Sequence, residues 1–212
     1  MAKLTKKNIL QSAIELFNNK GYVNVRMRDI AGAVGISPGN LTYHFKTKDS
    51  ILERIYESII ESRHKLLSDV QLIPSIATIH EQLVPLMKLY KKYRFFYLDI
   101  LEIVRAHPQI AKMHQIHIEV QINYIKAIID YSVGSGNMKA EPYQGYYEKF
   151  AHTIWMILSF WLSQAIIRGQ KANKFYEDAR NAMWDLVLPH FTEKGHTHYQ
   201  KIYAQELLKT PK

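Results

Sequence analysis

Almost every stretch of this chain spaces its apolar residues three or four apart, and none alternates apolar with polar over the length of a strand. That spacing calls for helices, so the expected fold is all-α. The sharpest punctuation comes early. The stretch "GISPGNLTYHFKTKDSIL", Gly35 to Leu52, opens on a turn glycine and a Ser-Pro pair. It then sets Tyr43, His44 and Phe45 side by side, with Lys46 and Lys48 after them. Glycine tolerates the left-handed backbone of a tight turn. Ser37 is a good N-cap, and proline is welcome at the first helical position, where Pro38 stands.

Along the chain, Thr5 can cap a first helix whose Ile9, Ala13, Leu16 and Phe17 share a face, with Gly21 ending it. A second helix is expected over roughly 27–34, with Ile30, Ala31 and Val34 inward. The third runs to about Phe45. Thr47 caps a long fourth helix over about 48–70, with Ile51, Leu52, Ile55, Ile59 and Leu66 on one side. Further helices are expected at about 75–91, 94–106, 108–133, 143–168 and 173–190, and a weaker one at 195–208. Pro85 should kink the fifth. His107-Pro108, a flexible "GSGN" at 134–137, Gly169 and Pro189 punctuate the rest.

Three short helices, the last two joined by a glycine turn, make a helix-turn-helix. In that module the third helix enters the DNA major groove with its N-terminal end leading. Pro38 and Gly39 keep that end small, Asn40 and Tyr43 can reach base edges, and Thr42, His44 and Lys48 can touch flanking phosphates. Leu41 and Phe45, four apart, turn inward. Charge points the same way. Residues 1–50 hold eight basic and three acidic residues, a balance of +5 within a chain of net charge +9. A basic small module suggests a polyanion partner. The competing reading is a helical protein that uses those basic residues on a membrane surface or for protein contacts; the turn chemistry at Gly35–Pro38 favours a compact DNA-binding module instead.

Residues 5–52, with "AIELFNNKGY", "RDIAGAVGIS" and "LTYHFKTKDSIL" in order, resemble the N-terminal domain of the TetR/AcrR family of transcriptional regulators. The resemblance implies a homodimeric repressor that binds a palindromic operator on double-stranded DNA and is released by a small-molecule effector. It divides the chain into a DNA-binding domain, residues 1–47, and a larger helical effector-binding and dimerisation domain, residues 48–212. By position it gives base contacts to Arg28, Pro38, Gly39, Asn40 and Tyr43, and phosphate contacts to Arg26, Thr42, His44 and Lys48. Two departures stand out. The family often has Ser or Thr where Val25 and Arg26 stand; Val25 cannot cap the second helix, which leaves Asn24 for that task. The tyrosine that usually follows the leucine of the third helix is displaced one place, with Thr42 in its position.

In the body, Ile154–Ile167 is apolar nearly all round and needs two partners to bury against. One is the domain's own core; the other is a second copy, with Leu158, Leu162, Ile166, Phe175, Met183 and Val187 as the expected dimer contacts. Aromatic residues crowd the body. Tyr93, Phe96, Tyr97, Tyr124 and Trp155, with Gln121 and Ser159 as polar anchors, are the expected ligand pocket, suited to a hydrophobic or aromatic effector.

Several chemistries lack their parts. The absence of cysteine removes disulfides, zinc-thiolate sites and cysteine catalysis. There is no Gly-rich phosphate loop, G-x-S-x-G or H-E-x-x-H, so neither an enzyme nor a cofactor is expected. His107, His114 and His117 lack a carboxylate or thiolate to complete a metal site and read as a helix cap and solvated imidazoles. The run Ile154–Ile167, at 14 residues, is too short to span a bilayer, and "MAKLTKKNIL" has no signal-peptide core. No membrane partner is expected, and the chain should be cytoplasmic.

Overall fold

The computed structural model describes residues 6–68, 74–170 and 174–209. They form eleven α-helices and one 3-10 turn, with no strand among them. The helices are α1 (Lys6–Lys20), α2 (Met27–Val34), α3 (Pro38–His44), α4 (Lys48–Ser68), α5 (Ile76–Lys92), α6 (Arg94–Leu98), α7 (Ile100–Ala106), α8 (Pro108–Gly134), α9 (Tyr146–Ile167), α10 (Phe175–Val187) and α11 (Glu193–Lys209). The expected all-α architecture is therefore found. Thr5 and Val70, the expected outer limits of α1 and α4, lie outside the described residues.

The chain divides into two compact units. The first holds residues up to Lys65 together with Lys88–Gln115, and the second holds Leu66–Met87 together with residues from Ile116 onward.

In the first unit, α1 packs on α2 and α2 on α3. Ile9, Ala13, Phe17, Val25, Ile30, Ala31 and Leu41 fill the space between them. Gly35 takes φ 74° and closes α2, with the amides of Gly35 and Ile36 donating back to Gly32 and Ala31. Ser37 Oγ accepts the Asn40 amide at 3.2 Å and starts α3. Thr47 and Ser50 cap α4 reciprocally: each hydroxyl accepts the other's amide, at 3.1 and 3.3 Å. Asn24 does not cap α2. Its amide side chain instead donates to the Lys20 carbonyl at the end of α1, while Asp29 Oδ2 accepts the Arg26 amide at 2.7 Å.

The rest of this unit is pinned to the module by α6. Phe95 packs on Phe17 at 5.1 Å between ring centres. Asn18 accepts the Phe95 amide and donates to the Lys92 carbonyl, serving the two helix ends beside it. The single helix expected over 94–106 is two helices, α6 and α7, meeting at Asp99. That carboxylate accepts the Tyr22 amide at 2.7 Å, a long-range bond made at the junction of the two helices.

In the second unit, α9 packs along α10, with Leu162, Ala165 and Phe175 at the centre and Trp161 and Tyr176 against them. The "GSGN" turn is bonded in place, contrary to the flexible punctuation expected of it. Thr192 and Lys194 hold the carbonyls of Gly136 and Ser135, and Asn137 is buried. Gly195 is required there, because a Cβ would run into the Asn137 carbonyl.

Candidate nucleic-acid interface

Helix α3 has two faces. Leu41 is fully buried and Phe45 nearly so, which leaves the other side of the helix free. Pro38, Gly39, Asn40 and Tyr43 are all exposed there, Tyr43 by 86% of its surface. A tyrosine bared to that degree contributes little burial to the fold. Its ring meets His44 edge-on at 5.4 Å. Thr42 is also exposed, and its hydroxyl donates to the Pro38 carbonyl. Arg26 and Arg28, at the start of α2, are both exposed. Gly39 has open space where a Cβ would stand, with only Ser37 Oγ at 4.0 Å. The fold itself therefore does not require glycine at that place.

Lys48 is set apart from this group. Its ammonium donates to the carbonyls of Tyr22 and Val23, at 3.0 and 3.5 Å, and lies 4.2 Å from the centre of the Tyr22 ring. Burial lowers its pKa. The first turn of α4 is thus tied to the loop between α1 and α2. Tyr22 extends the tie: its hydroxyl donates to Asp49 and lies 3.1 Å from His107 Nε2. Burial, then the Asp49 bond, raise the phenol's pKa and keep it a donor.

The residues expected to line a pocket fall into two groups. Tyr93, Phe96 and Tyr97 belong to the first unit, where Phe96 and Tyr97 are ring neighbours at 5.7 Å. Gln121, Tyr124, Trp155 and Ser159 belong to the second, where Gln121 is buried and the Tyr124 hydroxyl reaches Gln82 at 3.4 Å. His107 caps the end of α7 as expected, but its ring is turned inward, as are those of His114 and His117, which were expected to be solvated. His107 meets Tyr22, His114 Nδ1 lies 3.1 Å from the Tyr56 hydroxyl, and His117 is buried. Among the described residues, no cluster of three or more metal-ligating side chains is placed to hold an ion.

Sequence reasoning missed Arg63, a guanidinium buried among phenols in the first unit, with 8% of its surface exposed. A signal was available. Ile51, Ile55 and Ile59 step by four along α4, and the next step lands on Arg63.

Of the expected dimer contacts, Leu158, Leu162, Phe175, Met183 and Val187 are buried within their own unit, whereas Ile166 is exposed. Met156, Phe160 and Ile167 of α9 are exposed as well. The whole of α9 is 22 residues, eight longer than the apolar run read from the sequence. By length and composition alone it could cross a membrane. Eight of its residues, from Tyr147 to Ala165, are instead buried in the protein.

A helix-turn-helix with one bare reading face, followed by a helical body, defines a class of DNA-binding regulators. The family model for bacterial regulatory proteins of the tetR family matches residues 9–55, and that for the TetR bacterial transcriptional repressor matches residues 55–199. The chain belongs to the TetR family. It is 26% identical over 125 residues to the probable HTH-type transcriptional regulator YttP of Bacillus subtilis, covering 59% of this chain and 56% of that one. The chain thus spans about half the length of the curated relatives it matches. Its fold is that of a TetR-family transcriptional regulator from Marinobacter aquaeolei, with a TM-score of 0.85 at 21% identity, covering 98% of this chain and all of the other. A Saccharomonospora viridis protein solved in complex with choline superposes with a TM-score of 0.70 at 21% identity, over 88% of this chain and 97% of that one.

Proposed function

We propose that this chain is a DNA-binding repressor that docks as a homodimer on a palindromic operator in the bacterial cytoplasm and is released by a small-molecule effector. The observation that carries the reading is the exposure of Pro38, Gly39, Asn40 and Tyr43 on a helix whose opposite face is buried. Residues 1–47 carry the DNA contact and residues 48–212 the effector site and the dimer. Base contacts fall to Arg28, Pro38, Gly39, Asn40 and Tyr43, and phosphate contacts to Arg26, Thr42, His44 and Lys48. Lys48 already donates to the Tyr22 and Val23 carbonyls and has a third donor for a phosphate, so its contact is sensitive to movement at the start of α4.

Dimerisation uses α9 and α10. Ile166 and its exposed neighbours Met156, Phe160 and Ile167 supply the apolar contact, and the buried Leu158, Leu162, Phe175, Met183 and Val187 support it from beneath. The choline bound by a similarly folded protein supports a small-molecule effector in general. Of the residues expected to line a pocket, the effector site is drawn from those of the first unit, Tyr93, Phe96 and Tyr97. The test is duplex binding at several salt concentrations. Counterion release predicts a log–log slope of about −0.9 for each phosphate neutralised. A flat line removes the DNA reading.

A further inference from the structure

We infer that Arg63 is the anion-binding group of the effector site and that the effector is a small carboxylate with a flat or apolar body. This inference rests on the regulator reading above. Arg63 lies on α4 with 8% of its surface exposed. A guanidinium has five donors, no acceptor, and cannot shed its charge. Burying that charge without a counter-charge is costly, so buried arginines are ordinarily paired with carboxylates. Here the partners are phenols. Nη1 donates to the Tyr90 hydroxyl at 3.1 Å, the guanidinium carbon lies 5.6 Å from the centre of the Tyr90 ring, and Tyr97 is a second phenol that acts on its charge. Among the described residues no carboxylate pairs with it.

Neutral phenols satisfy donors but leave the charge standing. A planar carboxylate matches the guanidinium fork with two parallel bonds and neutralises it.

The surroundings set the rest of the ligand. Tyr90 meets Tyr97 edge-on at 4.5 Å, Tyr56 packs on Phe96 at 5.1 Å, and His114 closes on both Phe96 and Tyr56. Aromatic neighbours of this kind suit an aromatic or aliphatic body. Tyr97 is partly exposed, so it stands at the edge of the cluster. Arg63 rides on the helix whose first turn carries Lys48 and Asp49. An anion that draws the guanidinium away from Tyr90 therefore pulls on the element joined to the reading module.

The test is thermal unfolding of the full chain with sodium benzoate, phenylacetate and hexanoate, against benzamide, phenylacetamide and hexanamide at matched ionic strength. Tetramethylammonium chloride serves as the cationic probe, because an aromatic box without Arg63 would favour it. At least one carboxylate should raise the midpoint, its amide should not, and Arg63→Met should weaken binding roughly ten- to a hundredfold. If Arg63→Met does not fold, Arg63→Lys carries the comparison, since it keeps the charge and loses the fork. The inference is overturned if no carboxylate shifts the midpoint, if amides or tetramethylammonium do as well, or if the folded variant binds undiminished. Duplex binding measured on the same wild-type protein separates the two readings. DNA binding without any carboxylate effect ends the anion site alone, whereas no DNA binding ends the regulator reading.

Discussion

The hydroxyl of Tyr22 donates to Asp49 Oδ1 at 3.0 Å, bonding the turn after α1 to the first turn of α4. The same ring packs edge-on against Phe17 and carries the Lys48 ammonium over its face. Tyr22→Phe keeps the ring contacts and removes only the hydroxyl bonds. Asp49 is 58% exposed and can turn to water, so the loss should be about 1 kcal/mol, measured by denaturant unfolding. Tyr22→Ala, which empties a buried site, should cost about 3–5 kcal/mol. Equal losses for the two variants would assign the whole contribution to the hydroxyl.

Stability should fall in mild acid through His114. Burial, and then the charge of Arg63, push its pKa down from 6.5 to about 4. Between those values the unfolded chain takes up a proton that the folded chain refuses. The contribution is therefore complete above pH 6.5 and is lost as pH falls towards 4, by at most about 3 kcal/mol. Denaturant midpoints at pH 7 and pH 5 should differ for the wild type and differ less for His114→Gln. An identical acid slope in the variant would place the titration elsewhere.

Gly39 separates fold from function. Open space surrounds its Cβ position, and alanine is the better helix former by roughly 0.5–1 kcal/mol. Gly39→Ala should melt no lower than the wild type. Its DNA affinity should fall, because the added methyl stands where backbone approaches base edges. Undiminished DNA binding by this variant would move the contact away from the start of α3.

The two sides of α9 should respond differently to charge. Phe160 is 43% exposed, and a glutamate there leaves the monomer folded while placing a charge in the proposed dimer contact. Leu162 lies in the core of its own unit, so Leu162→Glu should unfold it by several kcal/mol. Circular dichroism with sedimentation distinguishes a folded monomer from an unfolded chain. A Phe160→Glu dimer of wild-type affinity would place the interface on another surface.

Most of the helices were legible in the sequence because turn chemistry is local. Gly35, Ser37 and Thr47 act on amides within a few residues, and they placed the ends of α2, α3 and α4 where the structure has them. Asp99 was not legible. The helix expected over 94–106 divides at this residue, whose carboxylate bonds to Tyr22, far away in the chain. The inward turn of His107 and His114 was not legible either, since Tyr22, in the turn after α1, and Tyr56, on α4, are far from them in the chain. The two faces of α3 followed from spacing alone. The burial of Leu158 and Leu162 could not be divided between self and partner, because periodicity reports an apolar face and not what covers it.

The central claim is that α3 reads DNA, and selection from a random duplex library tests it most directly. The enriched sequences should form a palindrome whose half-site centres lie about 34–36 Å apart, or a multiple of that, with preferences at particular positions altered in Tyr43→Ala. Enrichment of no sequence, or an enriched site that Tyr43→Ala and Asn40→Ala bind with unchanged preference, would contradict it.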